Sequence, residues 1–170
     1  MNISENTTRE PLHETADGDQ LLTFVLGDEE YAVDILRVQE IRGWSAATPI
    51  PNTPSWIKGI INLRGAIVPI VDLRERFGMT VTPYGPTTVV IVLRAIQGEK
   101  ERTVGVVVDA VSDVCSLREG AVQPSPDFGT SVDTGFVRGL ANLAERMLIV
   151  LEIDQLLDFD SLNDISARTA

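Results

Sequence analysis

The side chains that most often perform catalysis or bind metals are scarce in this chain. The only histidine is His13, in a polar N-terminal segment, and the only cysteine is Cys115. A nucleophile activated by histidine therefore cannot be assembled within the apolar part of the chain. A zinc-type site needs a cluster of histidine or cysteine ligands, which the sequence lacks. The glycine-rich motifs that cradle phosphates are also absent, so nucleotide binding by such a loop is not expected.

Two carboxylates and the thiol remain as candidates for chemistry. Asp72 and Glu152 each follow an apolar run, so both are expected at strand ends. A carboxylate pair could act in acid–base catalysis, but an acid at such a position more often caps backbone groups or contacts solvent. Cys115 lies near Asp113 and has no neighbouring lysine or histidine, which favours an unreactive thiol. We therefore expect neither an enzyme nor a bound cofactor or metal.

The composition limits the class of protein further. Hydrophobic residues make up 44% of the 170 residues but aromatic residues only 5%, so valine, isoleucine and leucine must fill the interior, which favours sheets. The net charge of −11 disfavours contacts with nucleic-acid phosphates and with anionic membrane surfaces. A small-barrel module for single-stranded nucleic acid is the alternative function, but it would need basic grooves with stacking aromatics. No apolar run approaches the ~20 residues that cross a bilayer, and a single cysteine fits the reducing cytoplasm.

The two halves of the chain resemble each other. Two segments recur 80 positions later and, upstream of them, one segment recurs 73 positions later. The matched pairs are residues 56–63 with 136–143, 68–73 with 148–153, and 38–41 with 111–114. Because the segments keep their order and one insertion reconciles the two spacings, the pattern indicates an internal duplication.

The duplication predicts the fold class and the domain organisation. Each half is expected to hold about five short strands, and a unit of roughly 65 residues with five strands closes naturally into a small barrel. Two such barrels are expected to share an interface because each alone buries little surface. The expected fold is mainly β, a tandem duplication of two five-stranded barrels with a few short helices. The expected domain covers residues 20–160, with barrels at about 20–80 and 85–157, a disordered tail at 1–19 and a polar tail at 161–170. Exchange of strands between the barrels is left open.

Local signals predict several smaller features. Thr53-Pro54 resembles the start of a short helix, which Gly59 would end. Pro69 lies in an apolar run and cannot donate to a ladder, so its strand is expected to be an edge or bulged there.

The two halves differ at one expected hairpin tip. Arg64-Gly65 in the first half corresponds to Ala144-Glu145 in the second. Arg64 is either a solvated turn residue or is held by an acid so that it shapes a binding surface. Glu40 is the nearest candidate for that acid.

Several segments resemble the CheW family. These segments are residues 24–27, 31–35, 38–43, 50–54, 57–65, 67–73, 106–114 and 139–141. The likeness covers roughly residues 20–157, and the block Asn62-Leu63-Arg64-Gly65 is highly specific. The resemblance implies two intertwined SH3-like or OB-like barrels without catalysis or cofactor. It also implies a cytoplasmic adaptor, recruited to receptor arrays at the inner membrane, that couples transmembrane chemoreceptors to the histidine kinase CheA in chemotaxis.

The resemblance also implies two binding surfaces. A groove between the barrels would take the helical tip of the receptor. Its expected residues are Val38, Ile41, Gly59, Arg64, Gly65, Val89, Val111 and Val114. A second surface, expected at Gln123, Asp127 and Phe128, would bind the regulatory domain of CheA in rings. Gln123 stands where the family has arginine, which removes a charge-assisted contact, and Phe128 is either an interface anchor or packs on its own barrel.

Overall fold

The computed structural model describes residues 18–80, 83–118, 120–124, 136–143 and 145–156. Strands dominate these segments, and two four-residue helices, α1 (Leu73–Arg76) and α2 (Ile153–Leu156), occur in equivalent places. The strands are β1 (Gly18–Leu26), β2 (Glu29–Asp34), β3 (Val38–Gly43), β4 (Ile57–Leu63), β5 (Ala66–Asp72), β6 (Val89–Gln97), β7 (Lys100–Val108), β8 (Ala110–Arg118), β9 (Val137–Leu143) and β10 (Arg146–Leu151). No helix in the described segments is long and apolar enough to cross a membrane.

The strands form two five-stranded sheets with the same plan. The first sheet has the order β8-β1-β2-β10-β9, and the second has the order β3-β6-β7-β5-β4. When β1 to β5 and β6 to β10 are each counted from one to five, both sheets read 3-1-2-5-4. In each sheet the strands numbered 1 and 2 come from one half of the chain, and the strands numbered 3, 4 and 5 come from the other half. The two halves therefore complete each other's sheets, and the mainly β fold class is confirmed.

The register of the two parallel pairings reproduces the repeat. Strands β2 and β10 place Ala32 beside Val150, and strands β7 and β5 place Gly105 beside Ile70. Val150 follows Ile70 by 80 positions and Gly105 follows Ala32 by 73, which are the two spacings of the repeat. The duplication seen in the sequence is therefore also a duplication of strand pairing.

The expected linear boundaries of the barrels do not coincide with these sheets. Residues 20–80 supply β1 and β2 to the first sheet and β3 to β5 to the second. Residues 85–157 supply β6 and β7 to the second sheet and β8 to β10 to the first. The chain changes sheet at two short crossovers, the 3-10 turn Ile35–Arg37 after β2 and the single residue Asp109 after β7.

Three apolar clusters hold the sheets together. One cluster lies on one face of the first sheet and another on one face of the second, while a central cluster joins the remaining faces. Neighbouring residues alternate between clusters, as Leu21 and Leu22 do on β1 and as Val107 and Val108 do on β7. Strands that are buried on both faces have near-continuous apolar sequences, which explains the valine-rich runs.

The helix expected after Thr53-Pro54 is wrong. The chain makes only turns there, and β4 begins at Ile57. The Trp56 carbonyl accepts a hydrogen bond from the Asp72 N–H at 2.8 Å, which draws the chain into extended pairing with β5 before a helix could form.

The strand of Pro69 is expected to be an edge or bulged there, and the structure shows an edge at that residue but not along the whole strand. Strand β5 lies inside the second sheet between β7 and β4. Its ladder with β7 starts at Ile70, so the missing N–H of Pro69 falls just before that ladder. An interior strand can thus hold a proline where one of its two ladders has not yet begun.

Equivalent glycines allow the chain to cover the outer strands β4 and β9. Thr48 and Ile60 exchange two backbone hydrogen bonds of 2.9 Å, and Gln123 and Leu140 exchange two of 2.8 Å. A Cβ at Gly59 would lie 2.1 Å from the Thr48 oxygen, and one at Gly139 would lie 2.3 Å from the Gln123 oxygen. Gly59 also has a φ of +137°, a conformation that other residues rarely adopt. One edge of each sheet is thus covered through a contact that only glycine permits.

We expect Gly59→Ala and Gly139→Ala each to lower the free energy of unfolding by more than about 1 kcal/mol, because each new Cβ clashes with backbone. Gly59→Ala should have the larger effect, because it also adds backbone strain. Urea unfolding of the purified variants measures this. Gly85→Ala is the control, since nothing lies within 4 Å of the place that a Cβ would take there. Equal stability of all three variants would contradict the close approach.

Candidate functional site

The hairpin between β4 and β5 turns at Arg64-Gly65, as the sequence predicts. Arg64 has a φ of +52° and Gly65 a φ of +89°, the signs that a two-residue type I′ turn requires. Asn62 Oδ1 accepts the Gly65 N–H at 2.9 Å and supports the turn. Positive φ suits glycine but is uncommon for an arginine. Strained conformations of this kind cluster at functional positions, so Arg64 is a candidate for one.

Arg64 is paired with Glu40. Its Nη2 donates to Glu40 Oε1 at 2.5 Å, so the ion pair expected from the sequence is confirmed. Glu40 also accepts from Arg42 Nη1 at 3.2 Å. Glu40 lies on β3 and Arg64 follows β4, which are the two outer strands of the second sheet. The pair therefore joins opposite edges of one sheet, which shows that the sheet is curled so that its outer strands approach each other.

The charge of Glu40 is stabilised by these two arginines. The hydrogen bond from Arg64 lowers the pKa of Glu40 most, partial burial opposes this, and the hydrogen bond from Arg42 lowers the pKa further. The side chain of Arg64 is 70% exposed, so the pair lies at the surface and is screened by salt. Such a pair contributes little to stability, and its effect is to fix the position of the guanidinium.

The first sheet has a different arrangement at the corresponding place. Asp113 on β8 occupies the position equivalent to Glu40, and its Oδ1 accepts from Thr23 Oγ1 at 2.8 Å. Residue 144, the counterpart of Arg64, lies outside the described residues. The acid of the first sheet is thus bound by a neighbouring strand, whereas Glu40 is bound by a hairpin tip.

The apolar residues expected in the groove lie on strands at the outer edges of the sheets or next to them. Val38, Val89 and Val111 are half-buried and pack against the central cluster. Ile41 on β3 is 45% exposed and Val114 on β8 is 51% exposed. The structure thus brings the three valines onto one core and leaves Ile41 and Val114 as large apolar side chains open to solvent on the strands that carry them.

The two glycines of the expected groove have different surroundings. Gly65 is exposed at the hairpin tip next to Arg64. Gly59 is buried under the Thr48 backbone, so it can affect the groove only through the path of residues 48–50.

Of the second expected surface, only Gln123 falls within the described residues. Gln123 is exposed, bridges to β9 through its backbone, and its Nε2 donates to the Gly120 oxygen at 3.3 Å. Asp127 and Phe128 lie outside the described residues, and their expected roles stay predictions.

Comparison with known proteins now decides the family. Residues 20–161 match the family model of the CheW-like domain. The chain belongs to the CheW family. It is 50% identical over 145 residues to the chemotaxis protein CheW of Klebsiella aerogenes, covering 85% of both chains. It is 42% identical over 142 residues to the chemotaxis protein CheW of Rhizobium meliloti, covering 84% of this chain and 89% of that protein.

A solved CheW structure agrees with the fold. The crystal structure of the scaffolding protein TtCheW from Thermoanaerobacter tengcongensis superposes with a TM-score of 0.75 at 35% identity. The match covers 83% of this chain and 93% of that chain. The CheW-like arrangement of the two curled sheets therefore extends over nearly the whole of the solved relative.

Asp72, one of the two carboxylates considered for catalysis, has structural partners in this CheW-family chain. Asp72 is buried and caps α1 by accepting the Arg74 N–H at 3.0 Å, and its Oδ2 accepts from Arg74 Nη2 at 3.0 Å and from the Tyr84 hydroxyl at 2.9 Å. Burial raises the pKa of Asp72, but the hydrogen bonds from Arg74 and Tyr84 outweigh burial and lower it overall. Asp72 is therefore an ionised capping acid.

Cys115 is half-buried, and burial together with the nearby Asp113 raises the pKa of its thiol. The thiol form, which is the poorer nucleophile, is thus favoured. Within the described segments no three histidine, cysteine or acidic side chains form a cluster that could hold a metal ion.

The sequence analysis missed two ion pairs at the crossovers. Arg74 Nη1 donates to Asp109 Oδ1 at 2.8 Å, and Arg37 donates twice to Asp154, at 2.7 and 2.8 Å. The available signal was that arginine and aspartate occupy matching positions 74 and 154 of the repeat. The pairing itself depends on the exchange of strands, which the sequence left open.

We expect Arg64→Ala to raise the pKa of Glu40 toward its ordinary value of 4.5, because the largest cause of the lowered pKa is removed. Arg42→Ala should raise it less. A carboxyl-carbon NMR titration over the acid range measures both shifts. Since the folded pKa of Glu40 is the lower one, the stabilisation from its charge is present above the unfolded pKa and is lost as the pH falls through the folded pKa. An unchanged Glu40 midpoint in Arg64→Ala would contradict the pair.

Proposed function

We propose that this CheW-family chain is a non-catalytic adaptor that couples transmembrane chemoreceptors to the histidine kinase CheA and helps to assemble their array. The observation that carries the proposal is the CheW-like domain over residues 20–161, with 50% identity to a chemotaxis protein CheW. The related TtCheW is a scaffolding protein, and scaffolding is a more general description of the proposed adaptor role. The adaptor would act in the cytoplasm at receptor arrays.

The proposed receptor site is the apolar surface formed by Val38, Ile41, Val89, Val111 and Val114. A helical hairpin tip presents an apolar stripe, and helices dock into apolar grooves through such anchors. Ile41 and Val114 are large apolar side chains with about half of their surface exposed, and each lies on an outer strand. Large apolar side chains that are open to solvent on the same strands as half-buried valines support a site that a partner covers.

Arg64 would set the polar border of this site. Glu40 holds the Arg64 guanidinium from one side, and Glu40 lies next to Ile41 on β3. The ion pair therefore fixes a positive charge at β3, the outer strand that also carries Ile41. A fixed charge at the rim of an interface contributes orientation and partner choice more than affinity.

The proposed kinase or ring surface includes Gln123, Asp127 and Phe128. Gln123 is exposed and held at the edge of the first sheet by its bridge to Leu140, which supports accessibility to a partner. Glutamine cannot form an ion pair, so this contact would rely on neutral hydrogen bonds and on Phe128.

Reconstitution tests the proposed function directly. Purified CheA is mixed with a receptor cytoplasmic fragment, with and without this chain, and autophosphorylation is measured. The adaptor should raise kinase activity only when receptor is present, and apart from the kinase's own phosphorylation neither partner should be covalently changed. Equal autophosphorylation in both mixtures would refute the proposal.

We expect Val114→Asp to weaken receptor binding by about tenfold or more, because docking would bury an unpaired charge. The matched control is Met147→Asp, since Met147 is 49% exposed and lies on β10, which β1 and β2 separate from β8 in the first sheet. Binding is measured by titration with the receptor fragment, and circular dichroism confirms that both variants are folded. A folded Val114→Asp variant with unchanged affinity would show that the groove lies elsewhere.

We expect Arg64→Ala to reduce kinase activation strongly while changing the unfolding midpoint little, because the side chain is mostly exposed. Arg64→Lys should rescue activation poorly, since lysine lacks the planar fork that contacts Glu40. A double-mutant cycle with Glu40→Ala, read out as kinase activation, tests the pair. Additive losses would refute coupling between the two residues, and full activation by Arg64→Ala would refute its role.

A further inference from the structure

Each short helix is tied by an arginine–aspartate pair to the crossover of the other half of the chain. On α1, Arg74 Nη1 donates to Asp109 Oδ1 at 2.8 Å, and Asp109 is the single residue between β7 and β8. On α2, Asp154 accepts two hydrogen bonds from Arg37, which ends the turn between β2 and β3. We call these the α1 junction and the α2 junction.

The two junctions occupy matching places but carry opposite charges. Positions 74 and 154 are 80 residues apart, which is the repeat spacing of the strands before them. Arg37 and Asp109 are 72 positions apart, one fewer than the 73-residue spacing of the strands around them. The helix position is thus positive in the first half (Arg74) and negative in the second (Asp154). The crossover position is likewise positive in the first half (Arg37) and negative in the second (Asp109).

Both junctions are well shielded and have additional polar contacts. The side chain of Arg74 is 2% exposed, and those of Asp109, Arg37 and Asp154 are 20–25% exposed. Asp109 Oδ2 also accepts the Gly27 N–H at 2.7 Å, and Asp154 Oδ1 accepts the Ile96 N–H at 2.6 Å. Asp109 therefore connects α1, its own crossover and the turn between β1 and β2. Asp154 connects α2, the crossover that ends at Arg37, and strand β6. Shielded like charges at such a place would be costly.

The alternative fold of this chain is the one without exchange. Because both halves have the same plan, the strands of one half could in principle pair with one another. The α1 helix would then face its own crossover, with Arg74 opposite Arg37. The α2 helix would likewise place Asp154 opposite Asp109.

We propose that the opposite polarity of the two junctions selects the strand-exchanged fold over the unexchanged one. Attraction stabilises the exchanged fold and repulsion disfavours its alternative, which is how proteins discriminate between similar partners. The crossovers run directly into β3 and β8, so this selection also determines that β3 borders β6 and that β8 borders β1. The inference concerns folding and does not depend on what binds the groove.

The test is the double variant Arg37→Asp/Asp154→Arg. It keeps an arginine–aspartate pair at the α2 junction but gives both junctions the same polarity, so neither fold has facing like charges. The matched control is Lys58→Glu/Glu75→Lys, a shielded ion pair between β4 and α1, which belong to the same half and stay together in both folds.

The proteins are unfolded in urea, refolded and examined by amide NMR with interstrand contacts as the reporter. Wild type and control should give one set of resonances with residue 32 near residue 150. The double variant should give a second set at roughly a tenth of the total intensity or more. In that set, residue 32 should contact residue 70 instead. A single set with only the contact to residue 150 would overturn the proposal and leave the connecting loops as the selector.

A neutral variant decides the matter if the reversed variant does not fold. Arg37→Gln/Asp154→Asn removes every facing like-charge pair of the unexchanged fold and retains the α1 junction. It should refold with a second set of resonances or an added slow phase. Refolding at the wild-type rate to one set of resonances would overturn the proposal.

Discussion

The structure depends on one constraint, which is that neither half of the chain completes a sheet by itself. The parallel pairings of β2 with β10 and of β7 with β5 join segments that are distant in sequence. Through them each sheet contains strands of both halves, and the central apolar cluster draws residues from both sheets. Small barrels bury too little surface to be stable alone, so the shared cluster and the shared strands make one cooperative unit out of two repeats.

The candidate site follows from this construction. Strand β3 lies at the outer edge of one sheet and β8 at the outer edge of the other, and these strands carry most of the apolar residues proposed to bind a receptor. The outer strands β4 and β9 are instead covered by residues 48 and 123, whose close approach the glycines permit. Sheet edges are prone to unwanted pairing, and here one edge of each sheet is closed while the other carries residues that we propose to bind a receptor.

Polar groups have separate roles at the surface and in the interior. Arg64 and Glu40 form an exposed pair at a strained hairpin tip, where the arrangement places a charge. Arg74 is buried; its hydrogen bonds to Asp72 raise its pKa most, burial opposes this, and the charge of Asp109 raises the pKa further, so the group stays charged. The Arg74 guanidinium also lies over the Tyr84 ring, which stacks on Trp44 at a centroid distance of 4.0 Å. A buried arginine is tolerated here because two carboxylates and a ring face surround it.

The sequence by itself determined the family, the mainly β class, the duplication and the Arg64-Gly65 turn, and it named Glu40 as the candidate partner of Arg64. These features depend on local patterns, on spacing or on a highly specific motif, all of which can be read along the chain. The tertiary structure alone decided which half each strand completes, that Pro69 lies in an interior strand, and that residues 54–58 are not helical. It also decided that Arg37 meets Asp154 and that Arg74 meets Asp109. The reason is physical: similar halves offer each strand two nearly equivalent partners, and only the contacts made across the whole fold distinguish between them.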